Sequence, residues 1–356
     1  MKQRLKDYKR IVIKIGSSLF YENGDLNMLR FWGIVSNIAG LIKLTRKEVV
    51  IVSSGAIALG MNLMKLKTRP KELPVLQATA AIGQNALMDD YSKYFRKYKI
   101  TCAQVLLTWD DFDNRQRYLN AKNTLLTLLK LGVVPIINEN DTISTDEIRF
   151  GDNDRLSALV ATLINADLLI IFSDVEGLLD RNKKLIKVVG EITPQIRALA
   201  CPTDKKSCVG GMVTKIEAAK IAMDSGIPCV IAKGGTGRII FDIVRNPAGG
   251  IGTLFLPRRS RLAAKERWIA FGTKPKGKIM VDDGAKSALI NKKSLLSVGI
   301  SACEGNFDAG DIVSVRDKSN LEFARGEVGI SSGELDDIKG KRYHKEIIHR
   351  DNIVIL

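Results

Sequence analysis

From residue 10 to about residue 250 the chain alternates short, almost wholly apolar runs with longer amphipathic ones, and few architectures accommodate that pattern. RIVIKI at 10–15, EVVIVS at 48–53, TCAQVLL at 101–107, VVPIIN at 133–138, DLLIIFS at 167–173 and IPCVIA at 227–232 read as strands. Apolar spacing of three and four residues predicts helices near 28–45, near 75–97, after Asn153 and after Met212. Strands without a polar face must be covered on both sides, so the expected fold is a three-layer α/β/α sandwich around a mostly parallel sheet. Ligands of such sheets bind beyond the carboxyl ends of the strands. Four of those ends carry small or charged residues: Gly16-Ser17-Ser18, Ser54-Gly55, Asn138 through Asp141, and Ser173-Asp174.

The pattern changes near residue 257, where PRRSRLAAKERW brings five basic residues against one acidic residue. Short apolar segments punctuated by Asp-Gly, Gly-Asn and Ala-Gly follow, as in a small β-rich domain. The expected organisation is therefore a domain at 1–257, a basic linker at 258–274, and a second domain with tail at 275–356.

The net charge of +16 suits an anionic partner, with nucleotide, nucleic acid and membrane surface all eligible. Lys and Arg exceed Asp and Glu by 36 to 25 before residue 257 and by 19 to 14 from there on, so the excess serves solubility equally well. There is neither a signal-peptide core nor an apolar run of membrane-spanning length, which predicts a cytoplasmic protein and no membrane partner. The five cysteines form no CxxC pair, which argues against disulfide and zinc frameworks. Both histidines, His344 and His349, stand near the C-terminus in a charged segment and read as surface residues. A Ser-His-Asp hydrolase would lack its base in the α/β part, and chemistry that needs only positioning and electrostatics is favoured.

Three features could carry such chemistry. Lys14 is the single charge inside IVIKIG, and an ammonium near the end of an inner strand is costly unless it has work to do; the alternative is an edge lysine reaching solvent. Gly210-Gly211-Met212-Val213-Thr214-Lys215 opens a helix, where backbone N–H groups and the helix dipole favour phosphate and Lys215 adds a mobile charge. The spacing is not that of a Walker A loop, and GxGxxG is missing too. The third feature is the acidic stretch: Asp141 follows a buried strand, and 13 residues later Asp154 opens a helix after Asp152 and Asn153. Turns and helix caps explain one residue of each cluster but not their density. Carboxylates there could bind a substrate ammonium, order lysines or hold magnesium through water.

IVIKIGSS, VSSGAIALG, LLTWDDF with RYLNAKNTL, VPIINENDT with EIRFGDND, and GGMVTK, in this order, resemble the amino acid kinase superfamily, in particular its glutamate-phosphorylating branch. VDDGAKSALI, GNFDAGDIVSV and HRDNI resemble a PUA domain. The resemblance implies ATP-dependent phosphorylation of the side-chain carboxylate of L-glutamate to L-glutamyl 5-phosphate, the first step of proline synthesis. It implies that Ser54, Gly55, Asp141 and Asn153 bind glutamate and that Asp154 organises Lys14 and Lys215 as the catalytic lysines. ATP would be held by Lys14, Gly16, Ser173, Asp174, Gly210, Gly211, Met212 and Lys215, with Mg²⁺ carried mainly by the ATP phosphates rather than by protein ligands. Feedback inhibition by proline and assembly into a homo-dimer or tetramer are implied in the same way.

Two departures touch the nucleotide side. The segment after Asp174 is shorter than the family's and has Asp180-Arg181-Asn182 where a Thr-x-Asp-Pro type sequence is usual, and Cys208-Val209 replaces the usual Gly-Thr before Gly210-Gly211. The alternatives are another carboxylate kinase, acting on N-acetylglutamate or aspartate, and RNA binding through the PUA-like tail, where few aromatics (Phe307, Phe323, Tyr343) are available for stacking.

Overall fold

The computed structural model describes residues 8–22, 25–144, 153–200, 211–235, 238–258 and 262–356. They form two compact units, one running to Asp111 and resuming from Tyr118 to residue 261, the other made of Phe112–Arg117 and Leu262–Leu356.

In the first unit β1 (Arg10–Ile15) leads through a 3-10 turn at Ser17–Phe20 into a small hairpin of β2 (Tyr21–Glu22) and β3 (Asp25–Leu26). Then come α1 (Met28–Thr45), β4 (Glu48–Ser53), α2 (Ala56–Leu63), α3 (Leu73–Lys97) and β5 (Cys102–Leu107). After α4 (Asp110–Asp113) and α5 (Arg115–Lys130) the chain forms β6 (Val134–Glu139), α6 (Asn153–Leu163), β7 (Leu168–Ser173) and β8 (Val188–Val189). The unit closes with α7 (Pro194–Ala198), α8 (Met212–Asp224), β9 (Cys229–Lys233), α9 (Ile239–Arg245) and β10 (Thr253–Phe255).

The eight-stranded sheet runs β5-β6-β4-β1-β7-β9-β10-β8. It is parallel except where β10 pairs antiparallel with β9. All residues of β6 and β7 are buried, as the unbroken apolar runs require. Helix α1 buries Phe31, Ile34, Val35, Ile38 and Leu41, one stripe at helical spacing, and Asn27 Oδ1 caps its start by accepting from Leu29 N at 3.0 Å. Each such aliphatic side chain contributes about 1.5–3 kcal/mol on full burial.

Helices α2 and α3 pack through glycines. A Cβ at Gly60 would stand 1.9 Å from the Thr79 carbonyl oxygen, and one at Gly83 1.8 Å from that of Ala56. Helix α2 is absent from the pattern read above, because eight residues ending at Leu63 give too short a period to separate from the strand before them.

The second unit contains α10 (Ala264–Arg267), β11 (Gly277–Val281), α11 (Asp283–Ile290), β12 (Ile300–Gly305), β13 (Ile312–Arg316), β14 (Glu322–Glu327), α12 (Ser332–Ile338) and β15 (Ile353–Ile355). Its sheet order is β12-β11-β13-β14-β15, over a core that includes Ile279, Val281, Phe307, Val313 and Ile348. The basic segment at 258–274 contains α10 and a π-helical turn at Trp268–Gly272, whose residues are buried, with Trp268 Nε1 donating to the Phe112 carbonyl at 2.9 Å. Among the described residues no helix is long and apolar enough to cross a membrane.

Candidate active site

Strand order decides which side chains can meet. β1 lies between β4 and β7, with Lys14 in register with Val52 on one side and Ile171 on the other. The next turn exits at Gly16, whose N–H donates to the Phe172 carbonyl at 3.1 Å. A Cβ at Gly16 would press on that oxygen at 3.1 Å and come within 3.5 Å of the Lys14 ammonium, so glycine keeps this space open.

Helix α6 starts under this point. Its second residue, Asp154, is 4% exposed and holds Lys14 Nζ at 2.6 Å on Oδ1 and Lys215 Nζ at 3.1 Å on Oδ2. Lys14 and Lys215 are themselves buried. Thr214 Oγ1 donates to the same Oδ2 at 2.9 Å, and Lys215 Nζ also donates to the Gly211 carbonyl at 3.2 Å. Burial by itself would favour the neutral acid, but the two lysine charges and the hydrogen bonds from Lys14 and Thr214 outweigh it and hold the Asp154 carboxyl below its usual range. One anion between two cations leaves a local excess of positive charge, which suits a third, negatively charged group.

Asn153 points the other way. Its Nδ2 donates to Ser54 Oγ at 2.9 Å and to Asn138 Oδ1 at 3.0 Å, and Asn138 Nδ2 in turn donates to Gln84 Oε1 on α3 at 2.9 Å. Four residues, from the turn after β4, from β6, from α6 and from α3, thus form one amide and hydroxyl chain. Asn153 Oδ1 is buried without a donor among the described residues. Such an orphaned acceptor is expensive unless a ligand supplies the proton. Asn153 is the first residue of α6, and its side chain is engaged across the sheet ends.

A cavity of about 260 Å³ opens here, and Ser17, Ser54, Gly55, Asn138, Asp141 and Asn153 are among the residues that line it. Gly55 takes φ +110°, and a Cβ there would meet the Phe20 ring at 2.9 Å, so both conformation and space demand glycine. Asp141 sits half-buried in the turn after β6; burial raises its carboxyl to about 6, against the opposing charge of Arg69.

On the other flank of β1, Ser173 Oγ donates to Asp174 Oδ1 at 2.8 Å and Ser18 Oγ does so at 3.3 Å. Burial again opposes ionisation of Asp174, but these hydrogen bonds, its backbone and the Lys215 charge lower its carboxyl overall. Gly211, at φ +70°, precedes Met212 at the start of α8, and a Cβ on it would meet nothing within 4 Å. Gly210 and Asp152 lie outside the described residues. Among the described residues there is no group of three or more His, Cys, Asp and Glu able to hold a metal ion.

The structure therefore brings Lys14, Asp154 and Lys215 into direct contact and sets Ser54, Gly55, Asp141 and Asn153 around one cavity. Sequence reading gave no role to Thr214, Asn138, Gln84 or Arg69. Gln84 had a usable signal: it interrupts the face on which α3 buries Leu76, Ala80, Gly83 and Leu87. His344 and His349 are exposed in the second unit.

Residues 9–233 match the amino acid kinase family and residues 277–350 the PUA domain. The chain is 45% identical over 366 residues to the glutamate 5-kinase of Thermoanaerobacter sp. strain X514, covering 98% of both chains. It is 44% identical to that of Moorella thermoacetica, over 99% of this chain and 97% of the relative. Among solved structures, N-acetylglutamate synthase from Neisseria gonorrhoeae superposes with a TM-score of 0.54 at 13% identity, covering 72% of this chain and 61% of that one. Carbamate kinase from Giardia lamblia bound to AMP-PNP gives 0.50 at 18%, covering 70% and 99%. The structural likenesses establish the fold of the larger part. The chain belongs to the amino acid kinase family and, by likeness along its whole length, to the glutamate 5-kinases that carry a PUA domain.

Proposed function

We propose that this protein transfers the γ-phosphoryl group of ATP to the side-chain carboxylate of L-glutamate, giving L-glutamyl 5-phosphate and ADP, the first step of proline synthesis. The observation that carries the reading is the buried Lys14–Asp154–Lys215 array set beside a cavity with an orphaned acceptor, Asn153 Oδ1. A side-chain carboxylate is already ionised at neutral pH, so the nucleophile needs no base. Its oxygen bonds to the γ-phosphorus while the bond to the β-phosphate oxygen breaks, and the electron pair leaves with ADP. Lys14 and Lys215, held apart on the two oxygens of Asp154, offer ammonium protons to the phosphoryl oxygens as charge spreads over them.

In this reading Asp141, Asn153, Ser54 and Gly55 hold the amino acid. Gly16, Ser173, Asp174, Gly210, Gly211, Met212 and Lys215 serve the nucleotide, whose phosphates meet the N-terminus of the 13-residue helix α8. Mg²⁺ bound to those phosphates would supply the remaining charge neutralisation. The catalytic part is residues 1–257, joined through 258–274 to a PUA-like part at 275–356 in a cytoplasmic enzyme. Proline as feedback inhibitor and a dimeric or tetrameric assembly rest on family resemblance alone.

The test is acyl-phosphate formation trapped as hydroxamate, with L-glutamate, N-acetylglutamate and aspartate compared. Activity on glutamate that is lost in Asp154→Ala supports the reading; preference for the acetylated acid, which has no ammonium for Asp141, refutes its substrate. RNA binding is a second reading, favoured by a cavity of about 770 Å³ in the second unit with Lys292, Lys293 and Arg350 on its wall. Affinity for a uridine oligomer that falls steeply with salt and is lost in Lys292→Glu/Lys293→Glu supports it.

A further inference from the structure

The glutamate reading accounts for two of the three charges on the substrate. The side-chain carboxylate goes to the lysine array, and the α-ammonium has Asp141 and Asn153 Oδ1. The α-carboxylate still needs a partner, because a carboxylate taken from water into a partly enclosed cavity without a cation or several donors is strongly disfavoured.

Among the described residues lining the cavity only Arg69 is cationic, against the carboxylates of Glu139 and Asp141. Glu139 is buried and accepts from Ser144 Oγ at 3.0 Å, which fixes it as part of the wall. Arg69 lies in the segment between α2 and α3, exposed at the cavity. Arg69 and Asp141 line the same cavity, and the Arg69 charge acts on the Asp141 carboxyl. An α-amino acid has adjacent ammonium and carboxylate groups, and a carboxylate beside a guanidinium is the complementary pattern. Arginine's planar fork suits it to bidentate carboxylate binding.

We propose that Arg69 is a specificity-determining residue that binds the substrate α-carboxylate, so that Arg69 and Asp141 together select a zwitterionic α-amino acid. This assignment rests on the glutamate reading above. It predicts rejection of substrates that keep the reactive side chain and the ammonium but lack the α-carboxylate charge.

The experiment compares L-glutamate with its α-amide, which retains the free side-chain carboxylate, in the wild type, Arg69→Gln and Arg69→Lys. The wild type is expected to prefer glutamate. Arg69→Gln should lower kcat/KM for glutamate about 10- to 100-fold, through KM, the loss expected for one charge-assisted contact. It should leave the α-amide and the KM for ATP nearly unchanged, so the preference collapses, and Arg69→Lys should restore part of it. Equal losses on both substrates, or a preference that survives Arg69→Gln, would overturn the assignment. A wild type inactive on both substrates would overturn it together with the glutamate reading, a pattern distinct from either of those. Arg69 is exposed, so unchanged thermal midpoints are expected in both variants.

Discussion

Asn153 and Asp154 are consecutive residues that face different halves of one site: Asn153 reaches Ser54 and Asn138, and Asp154 reaches Lys14 and Lys215. A turn of α-helix advances about 100° per residue, so two neighbours at the start of α6 can serve ligands on opposite sides of β1. Substitutions at the two positions should therefore separate kinetically. Asn153→Ala is expected to raise KM for the amino acid about tenfold with a smaller change in kcat, whereas Asp154→Asn should lower kcat by about 10²–10³. Steady-state kinetics with each substrate varied in turn would show it, and identical profiles for the two variants would contradict the division.

Asp154 also balances buried charge. Replacing it by Ala leaves two buried ammonium groups facing each other, and breaking a buried ion pair in this way costs about 3–5 kcal/mol. A urea midpoint lowered accordingly is expected for Asp154→Ala. A midpoint equal to wild type would mean that the lysines turn out to solvent.

The pH profile should carry the mark of Asp141. Its carboxyl is raised to about 6 by burial, so the ionised form, which in the proposed reading binds the substrate ammonium, builds up as pH rises through that value. The kcat/KM for glutamate should climb about tenfold per unit below pH 6 and level off above it, and Asp141→Asn should flatten that limb. Stability moves the other way. The folded state favours neutral Asp141, a contribution complete below the ordinary value of 3.8 and lost as pH rises through about 6. The urea midpoint of Asp141→Asn should therefore gain on wild type across that interval. The lowered carboxyl of Asp154 acts in a separate window: its contribution is complete above 3.8 and is lost as pH falls below that.

Gln84 touches no substrate in this arrangement, yet it receives the proton of Asn138 Nδ2 at 2.9 Å and so fixes the acceptor on which Asn153 rests. Gln84→Leu should raise KM for glutamate several-fold, leave KM for ATP unchanged and cost about 1–3 kcal/mol through the unsatisfied Asn138 amide. Gln84→Glu, which keeps the acceptor, should recover most of the KM effect.

Gly83→Ala should disturb the same cavity from behind. The added Cβ would fall 1.8 Å from the carbonyl oxygen of Ala56, the first residue of α2, which follows the Ser54-Gly55 loop. Backbone must move, and a loss of at least 1–3 kcal/mol in urea unfolding is expected, with a raised KM for glutamate. The exposed Gly132, whose Cβ would meet nothing within 4 Å, is the control for a glycine held by conformation alone.

The central strands were legible because β1, β4, β6 and β7 are apolar on both faces, a pattern that only a doubly covered sheet produces. The residues at their ends were legible because Lys14 and Asp154 break that pattern at a cost that packing does not offset. The edge strand β8 and its neighbour β10 were not, since two and three residues give no period to read. Partners supplied from the side of a helix escaped for a related reason. Gln84 is one polar residue in a long amphipathic run, and its link to Asn138 spans 54 positions that no local pattern connects. Arg69 stands in an irregular segment, where a basic residue has no periodic neighbours against which to look unusual.

The position of β1 in the sheet has a consequence for how such a site can change. With β4 and β6 on one flank and β7 and β9 on the other, Lys14 stands on a seam. In the proposed reading the acceptor is handled wholly on the first flank and the phosphoryl donor on the second. The acid to be phosphorylated can then be exchanged by editing loops on one side, while the grip on the nucleotide and the shared lysine–aspartate array stay untouched.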